Sequence, residues 1–292
     1  MILETYAAYL TTEKKMTENT RQAYLRDLKH FTTFAAARGI TDPADVSSTD
    51  VLAYLMELKT GGRSKSTVNR KLASLRTYYQ YLLRIHAIAE NPTEAIKSPR
   101  VEKKEIQYLM PEEIEQLLEL PDDTTKGKRD RAILELLYAT GIRASELIEM
   151  KLDDINVRMG FVKCAGTHGS ARIIPIGRPC RRAMDTYIAE VRALLLKGQE
   201  SEMLFLNYAG KPFTRQGLWK ILKEYGETAG FDIPLTPQVI RNSFAVHMLQ
   251  NGADVKSLQE LMGHEDISAT QAYLAVVKNR IKDVYDKTHP RA

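Results

Sequence analysis

Apolar side chains that return every three or four residues constrain this chain more than any other feature, because that period fits a helix and not a strand. In SKSTVNRKLASLRTYYQYLLRIHAI they fall at Val68, Leu72, Leu75, Tyr79 and Leu82, a single stripe. Lys65, Arg70, Lys71, Arg76 and Arg84 occupy the other faces. Upstream, TENTRQAYLRDLKHFTTFAAARG repeats the pattern with Tyr24, Leu28, Phe31 and Ala35, opened by Thr17 as N-cap and closed by Gly39. Between them STDVLAYLMELKTGG reads as another helix, capped by Ser48 or Thr49 and ended by Gly61 and Gly62. Residues 1–90 predict a small helical bundle with one basic helix.

The period then breaks twice. ENPTEAIKSPRVEKKEIQY has two prolines, mixed charge and little apolar content, so residues 91–106 read as an interdomain linker. Within the remainder, 107–292, GFVKCAG and ARIIPIG are two β-like runs about a THGS turn, predicting a hairpin of strands Phe161–Ala165 and Arg172–Ile176. Elsewhere the second domain reads as helices, ending in a charged tail helix over 279–292 with Ile281, Val284 and Tyr285 as its apolar minority. The expected fold is mainly α with a small antiparallel β-sheet. At 292 residues the chain is long enough for two domains, each with its own core.

Charge is modest overall, 42 Lys plus Arg against 37 Asp plus Glu, but unevenly spread. Through residue 106 there are 17 basic and 12 acidic side chains, and after it the two signs balance. The excess fits a nucleic-acid partner without requiring one. Cys164 and Cys180 are too few for a disulfide framework and no C-x-x-C spacing exists, so a reducing compartment and no metal centre are expected. No apolar run approaches the ~20 residues of a membrane span, and MILETYAAYLTTEKK lacks a basic leader. The expectation is a cytoplasmic protein with no membrane association, no cofactor and no small-molecule substrate.

Four side chains could carry chemistry. Arg143, in TGIRASELIEM, follows a helix break at Gly141 and stands near a new helix start, where free N–H groups also favour anions. Arg241, in LTPQVIRNSFAVHM, lies one turn into a helix, and an Arg is the side chain best built to fork onto a phosphate. MGHEDISATQAYLAV supplies His264 and Tyr273. Taken singly, each reads as readily as a surface ion pair, a cap or a packing residue.

In combination, residues 140–150, 235–252 and 258–276 resemble the tyrosine recombinase (phage integrase) family, in the order that family uses. TGIRASEL resembles its first arginine box, and TPQVIRNSFAVHMLQNGADVKSLQELMGHEDISATQAY its second box through to the nucleophile. The N-terminal helices look like the family's SAM-like core DNA-binding domain, and the ending HPRA looks like its Xer-type subgroup. The resemblance implies a catalytic domain that breaks and rejoins DNA, with Tyr273 forming a 3′-phosphotyrosyl link while Arg143, Arg241 and His264 hold the phosphate. Rejoining would need no ATP, in keeping with the lack of a G-x-x-x-x-G-K-[ST] loop. It also implies duplex DNA as partner, contacted from the basic helix by Arg63, Lys65, Asn69, Arg70, Lys71 and Arg76. The assembly would be a homo- or hetero-tetramer on DNA, with the tail helix docking in trans, at the nucleoid.

Two positions depart from the family pattern. The lysine expected to protonate the leaving 5′ oxygen falls on Thr167, with Lys163, His168 and Arg172 nearby. A general acid of this kind is worth about 10²–10⁴-fold. Gln238 stands where the family has His or Lys, and Asn242 where it has a His after the second arginine. Neither amide brings charge or shuttles a proton. Two functions stay open at this stage: a site-specific recombinase attenuated by these departures, and a catalytically impaired DNA-binding paralogue that regulates or partners an active one. A DNA-relaxing topoisomerase with the same chemistry stands behind both.

Overall fold

The computed structural model describes residues 2–100, 105–165, 171–264 and 266–288, with the backbone alone for 279–288. The chain forms two compact units, residues 1–104 and 105–292. The first holds α1 (Ile2–Thr12), α2 (Glu18–Ala36), α3 (Ser48–Thr60) and α4 (Lys65–Arg84). Every member of the α4 stripe, Val68, Leu72, Leu75, Tyr79 and Leu82, is buried, against Leu28 and Phe31 of α2 and Tyr54 of α3. Thr17 caps α2 by accepting from the Thr20 N–H. The cap of α3 is Ser47, one residue ahead of the expected Ser48 or Thr49, because Asp50 three residues on completes a reciprocal capping box with it.

Residues 91–99, within the stretch read as linker, lie against α4. Ile96 is buried in the bundle core, Arg76 donates to the Ile96 carbonyl and to Ser98 Oγ (2.9 Å), and Asn69 Nδ2 donates to the Pro99 carbonyl at 2.9 Å. Composition reported few apolar residues there, but one isoleucine and two side-chain donors suffice to fasten an irregular segment.

The second unit opens with α5 (Pro111–Glu119), α6 (Thr125–Thr140) and α7 (Ala144–Glu149). A three-stranded antiparallel sheet follows, β1 (Ile155–Asn156), β2 (Phe161–Ala165) and β3 (Ala171–Pro175), in the order β1-β2-β3. Then come α8 (Arg178–Thr186), a π-helical stretch (Tyr187–Arg192), α9 (Ala193–Leu196), α10 (Arg215–Ala229), α11 (Pro237–Gln250), α12 (Val255–Met262) and α13 (Ile267–Thr288). The expected fold class is the observed one, with a short extra strand, β1, beside the hairpin. The backbone of residues 279–288 continues α13, so the tail read as a separate helix runs on from the helix that carries Tyr273.

Two apolar clusters make up this unit. The larger gathers Ile133 and Leu137 of α6, Val162 and Ile174 of the sheet, Met184, Tyr187 and Leu222. The smaller joins Phe244 and Leu249 of α11, Leu258 and Met262 of α12, and Tyr273 and Val277 of α13. Helix α11 lies between the two clusters. Val239 and Ile240 enter the first and Phe244, Ala245 and Val246 the second, so nearly every residue from 239 to 249 is buried. A helix buried all round is a core helix, and a charged residue on it needs partners.

Candidate active site

Arg241 is that charged residue, 4% exposed. Its guanidinium donates to the Gly141 carbonyl, to the Met262 carbonyl (2.7 Å) and to His264 Nε2 (2.9 Å). Burial first, then the nearby Arg143 charge, pushes its pKa down to about 10, which still leaves it a cation near neutrality. Gly141 ends α6 at φ +58°, and a Cβ there would fall 2.3 Å from Phe244 Cδ1. Glycine is thus required twice over where the α6 end meets α11.

Arg143 is the N-cap residue of α7. Its Nη2 donates to the Gly263 carbonyl at 2.8 Å and its Nη1 to Glu146 Oε1 at 3.3 Å. Arg172 of β3 donates from Nε to the Leu261 carbonyl at 2.7 Å and forks onto Glu146 at 2.7 and 2.9 Å. Three successive carbonyls at the C-terminus of α12, those of Leu261, Met262 and Gly263, therefore each receive one guanidinium. These are groups a helix end leaves without an intrahelical partner, at the negative pole of its dipole. Gly263, at φ +62°, ends the helix, and a Cβ on it would stand 2.9 Å from Arg172 Nη1.

Glu146 ties two of these arginines together. It also accepts from the Arg143 backbone N–H at 2.7 Å. Burial works to raise its pKa, but the bonds from Arg172 and the Arg143 N–H outweigh it and hold the carboxyl below its ordinary value. Sequence reasoning passed Glu146 over, although its spacing three residues after a helix-opening position is a capping signal.

His264 follows Gly263. Its Nδ1 pairs with Thr270 Oγ1 at 2.9 Å, and its ring stacks on that of Tyr273 with centroids 6.4 Å apart and planes 10° from parallel. Burial, then the charges of Arg241, Arg143 and Arg172, push its pKa down to about 4. Tyr273 is 5% exposed, and its hydroxyl donates to Asn242 Oδ1 at 2.9 Å. Burial raises the phenol above its ordinary pKa against the opposing pull of Arg241, Gln238 and Arg143. Gln238 Nε2 donates to the same Asn242 oxygen at 2.7 Å.

The structure thus gathers Arg143, Arg241, His264 and Gln238 about the Tyr273 phenol, with Asn242 and Arg172 among them, and adds Glu146 and Thr270. Thr167 and His168 lie outside the described residues. Lys163 pairs with Ile173 across the hairpin, whereas Cys164 pairs with Arg172, so the pleat turns Lys163 to the exposed face opposite the arginines. Arg172 is fully engaged, with Glu146 holding its pKa up against burial, which removes it as a proton donor. Among the described residues no group of His, Cys, Asp and Glu is placed to hold a metal ion, and no helix is long and apolar enough to cross a membrane.

The six basic-helix residues do not form one open surface. Lys71 is buried and pairs with Asp27 Oδ1 at 3.2 Å, Arg70 also pairs with Asp27, and Asn69 and Arg76 hold the 96–99 segment. Arg63, Lys65 and Arg70 are exposed, Arg70 while paired with Asp27.

The candidate site is thus a set of cationic donors around a buried phenol. The family model for the phage integrase family matches residues 107–280, that for the phage integrase N-terminal SAM-like domain matches residues 3–86, and the chain belongs to this family. It is 44% identical to the tyrosine recombinase XerD of Staphylococcus haemolyticus, over 100% of this chain and 99% of the relative. It is 39% identical to the tyrosine recombinase XerD of Listeria monocytogenes, at the same coverage. The fold matches the Tn1549 transposon integrase in complex with transposon right end DNA with a TM-score of 0.73, across 98% of this chain and 99% of that one at 19% identity.

Proposed function

We propose that the chain is a site-specific DNA recombinase that works through Tyr273. The phenol oxygen bonds to the scissile phosphorus as the bond to the 5′ oxygen breaks. The phenol gives up one proton and the departing oxygen takes one up. Charge gathering on the non-bridging oxygens is met by the N–H groups of Arg143 and Arg241, held in place before substrate arrives. Attack by the freed 5′ hydroxyl of a partner strand reverses the step and releases Tyr273, so the bond energy is conserved.

The single observation that carries this reading is the convergence of Arg241, Arg143 and His264, from three separate places in the chain, on Tyr273 of α13. The test is covalent capture on nicked suicide duplexes bearing the host's resolution-type sites. A denaturation-resistant adduct that forms with the native chain and is lost in Tyr273→Phe supports the recombinase.

One observation favours a second reading, a DNA-binding relative with lapsed chemistry. The phenol is buried and held by an amide, with another amide, Gln238, at the position where the family has a base or cation. A retarded complex without adduct would establish it. Full-length likeness to the tyrosine recombinase XerD relatives supports duplex DNA as the partner, and we propose that several protomers assemble on one DNA. In that assembly the 279–292 tail docks on a neighbour. Deleting it is expected to remove cooperative assembly while single-site binding persists.

A further inference from the structure

Asn242 makes three hydrogen bonds that fix its amide completely. Its Nδ2 donates to the Gln107 backbone carbonyl at 2.8 Å. Its Oδ1 accepts from Tyr273 at 2.9 Å and from Gln238 Nε2, one helical turn earlier on α11, at 2.7 Å. A flipped amide would set its oxygen against the Gln107 carbonyl, an acceptor–acceptor clash, so that backbone oxygen determines the orientation. At 8% exposure it lies beneath Gln238, which is exposed. The segment that supplies Gln107 is itself fastened to α11, since the Leu109 N–H donates to Ser243 Oγ at 2.8 Å.

We propose that Asn242 is the positioning residue for the Tyr273 nucleophile, an acceptor that takes the phenol proton's direction and so aims the oxygen lone pairs elsewhere. This rests on the recombinase reading for its purpose, but not for its geometry. An amide oxygen is far too weak a base to keep the proton, so Asn242 orients the phenol rather than activating it. The charged and titratable groups facing the phenol from the other packed elements are Arg241, Arg143 and His264, and none of them is its hydrogen-bond acceptor here. An imidazole offers one acceptor nitrogen for the phenol and one N–H for the Gln107 carbonyl, so it can keep those two bonds, while its single lone pair releases Gln238. A leucine of similar size cannot.

The test uses the full chain labelled at tyrosine Cζ, with the Tyr273 resonance identified by its loss in Tyr273→Phe. Asn242→Leu is expected to move that resonance and to slow single-turnover adduct formation on a saturating nicked suicide duplex by roughly 10–100-fold, the cost of a misplaced reacting group. Affinity for the duplex in a retardation assay stays unchanged. Asn242→His is expected to restore most of the rate and to return the resonance toward its native position, which a merely structural loss would not predict. Should Asn242→Leu fail to fold, Gln238→Met, at an exposed site, must still move the resonance. A Tyr273 signal unmoved by these variants, or adduct forming at or above the native rate in Asn242→Leu, overturns the proposal. Absence of any adduct from the native chain would count against the recombinase instead, and the resonance would still decide the role of Asn242.

Discussion

Arg241 Nη2 donates to His264 Nε2 at 2.9 Å. A guanidinium has no acceptor, so this ring nitrogen carries no proton, and the single N–H of the imidazole lies at Nδ1, toward Thr270 Oγ1 at 2.9 Å. The lowered pKa of about 4 agrees with that neutral tautomer. His264 is therefore a neutral group whose orientation is set from both sides, and Thr270, fully buried, is what fixes the far side.

A histidine held at about 4 when folded, and near ~6.5 when unfolded, makes the fold acid-sensitive. Above that upper value neither state is protonated and His264 contributes no slope. As pH falls toward 4 the unfolded chain binds the proton first, so stability declines across that window and levels off below it. Urea midpoints measured from pH 7 to 4 are expected to show less of this decline in His264→Gln than in the native chain. Parallel declines would refute it.

Arg241→Lys retains the charge but cannot reach the Gly141 carbonyl, the Met262 carbonyl and His264 together from one ammonium. Single-turnover cleavage is expected to fall about 10²–10³-fold, the cost of one lost transition-state donor. Stability is expected to fall by about 1–3 kcal/mol for carbonyls left unpaired in the interior. Suicide-substrate kinetics and chemical denaturation check the two effects separately. Native-like cleavage by the lysine variant would show that the fork geometry is dispensable.

Gly141→Ala places a methyl against Phe244 at a positive φ. The expected loss is roughly 2–4 kcal/mol, part from the left-handed backbone and part from overpacking. Phe244→Leu is expected to recover only the packing part in the double variant. A full double-mutant cycle by denaturant melts separates the two, and a cycle with no coupling would mean that the α6 end shifts freely away from α11.

In the first unit, Asp27 faces both Arg70 and buried Lys71. Asp27→Ala leaves Lys71 buried and without its carboxylate, and is expected to cost roughly 3–5 kcal/mol of stability. Arg63→Ala, on the exposed side, should leave stability alone and lower the salt slope of DNA binding by about 0.9 if it contacts a phosphate. Thermal melts and retardation at several salt concentrations tell these apart. An unchanged slope would remove Arg63 from the interface.

The helices were legible because burial leaves a period. Val68 to Leu82 is one stripe in the sequence and one buried face in the bundle. Lys71 was not legible in the same way. Adjacent to Leu72, it reads as a solvated cation, and only the position of Asp27 on another helix makes it interior. The site divides similarly. Arg143, Arg241, His264 and Tyr273 are separated by up to 130 residues, and only the likeness to a known family put them in one place before the fold did. Asn242 was visible as a substitution, yet its three bonds depend on a backbone carbonyl at Gln107 and a helix packed across it, neither of which has a residue signature.

The end of α12 acts as a ruler. Because Leu261, Met262 and Gly263 present successive backbone oxygens, all three guanidinium groups are referenced to one helix end, whatever side chains α12 carries. The cations themselves ride on α7, β3 and α11, so a residue inserted or deleted before Gly263 would draw the carbonyls away from all three at once.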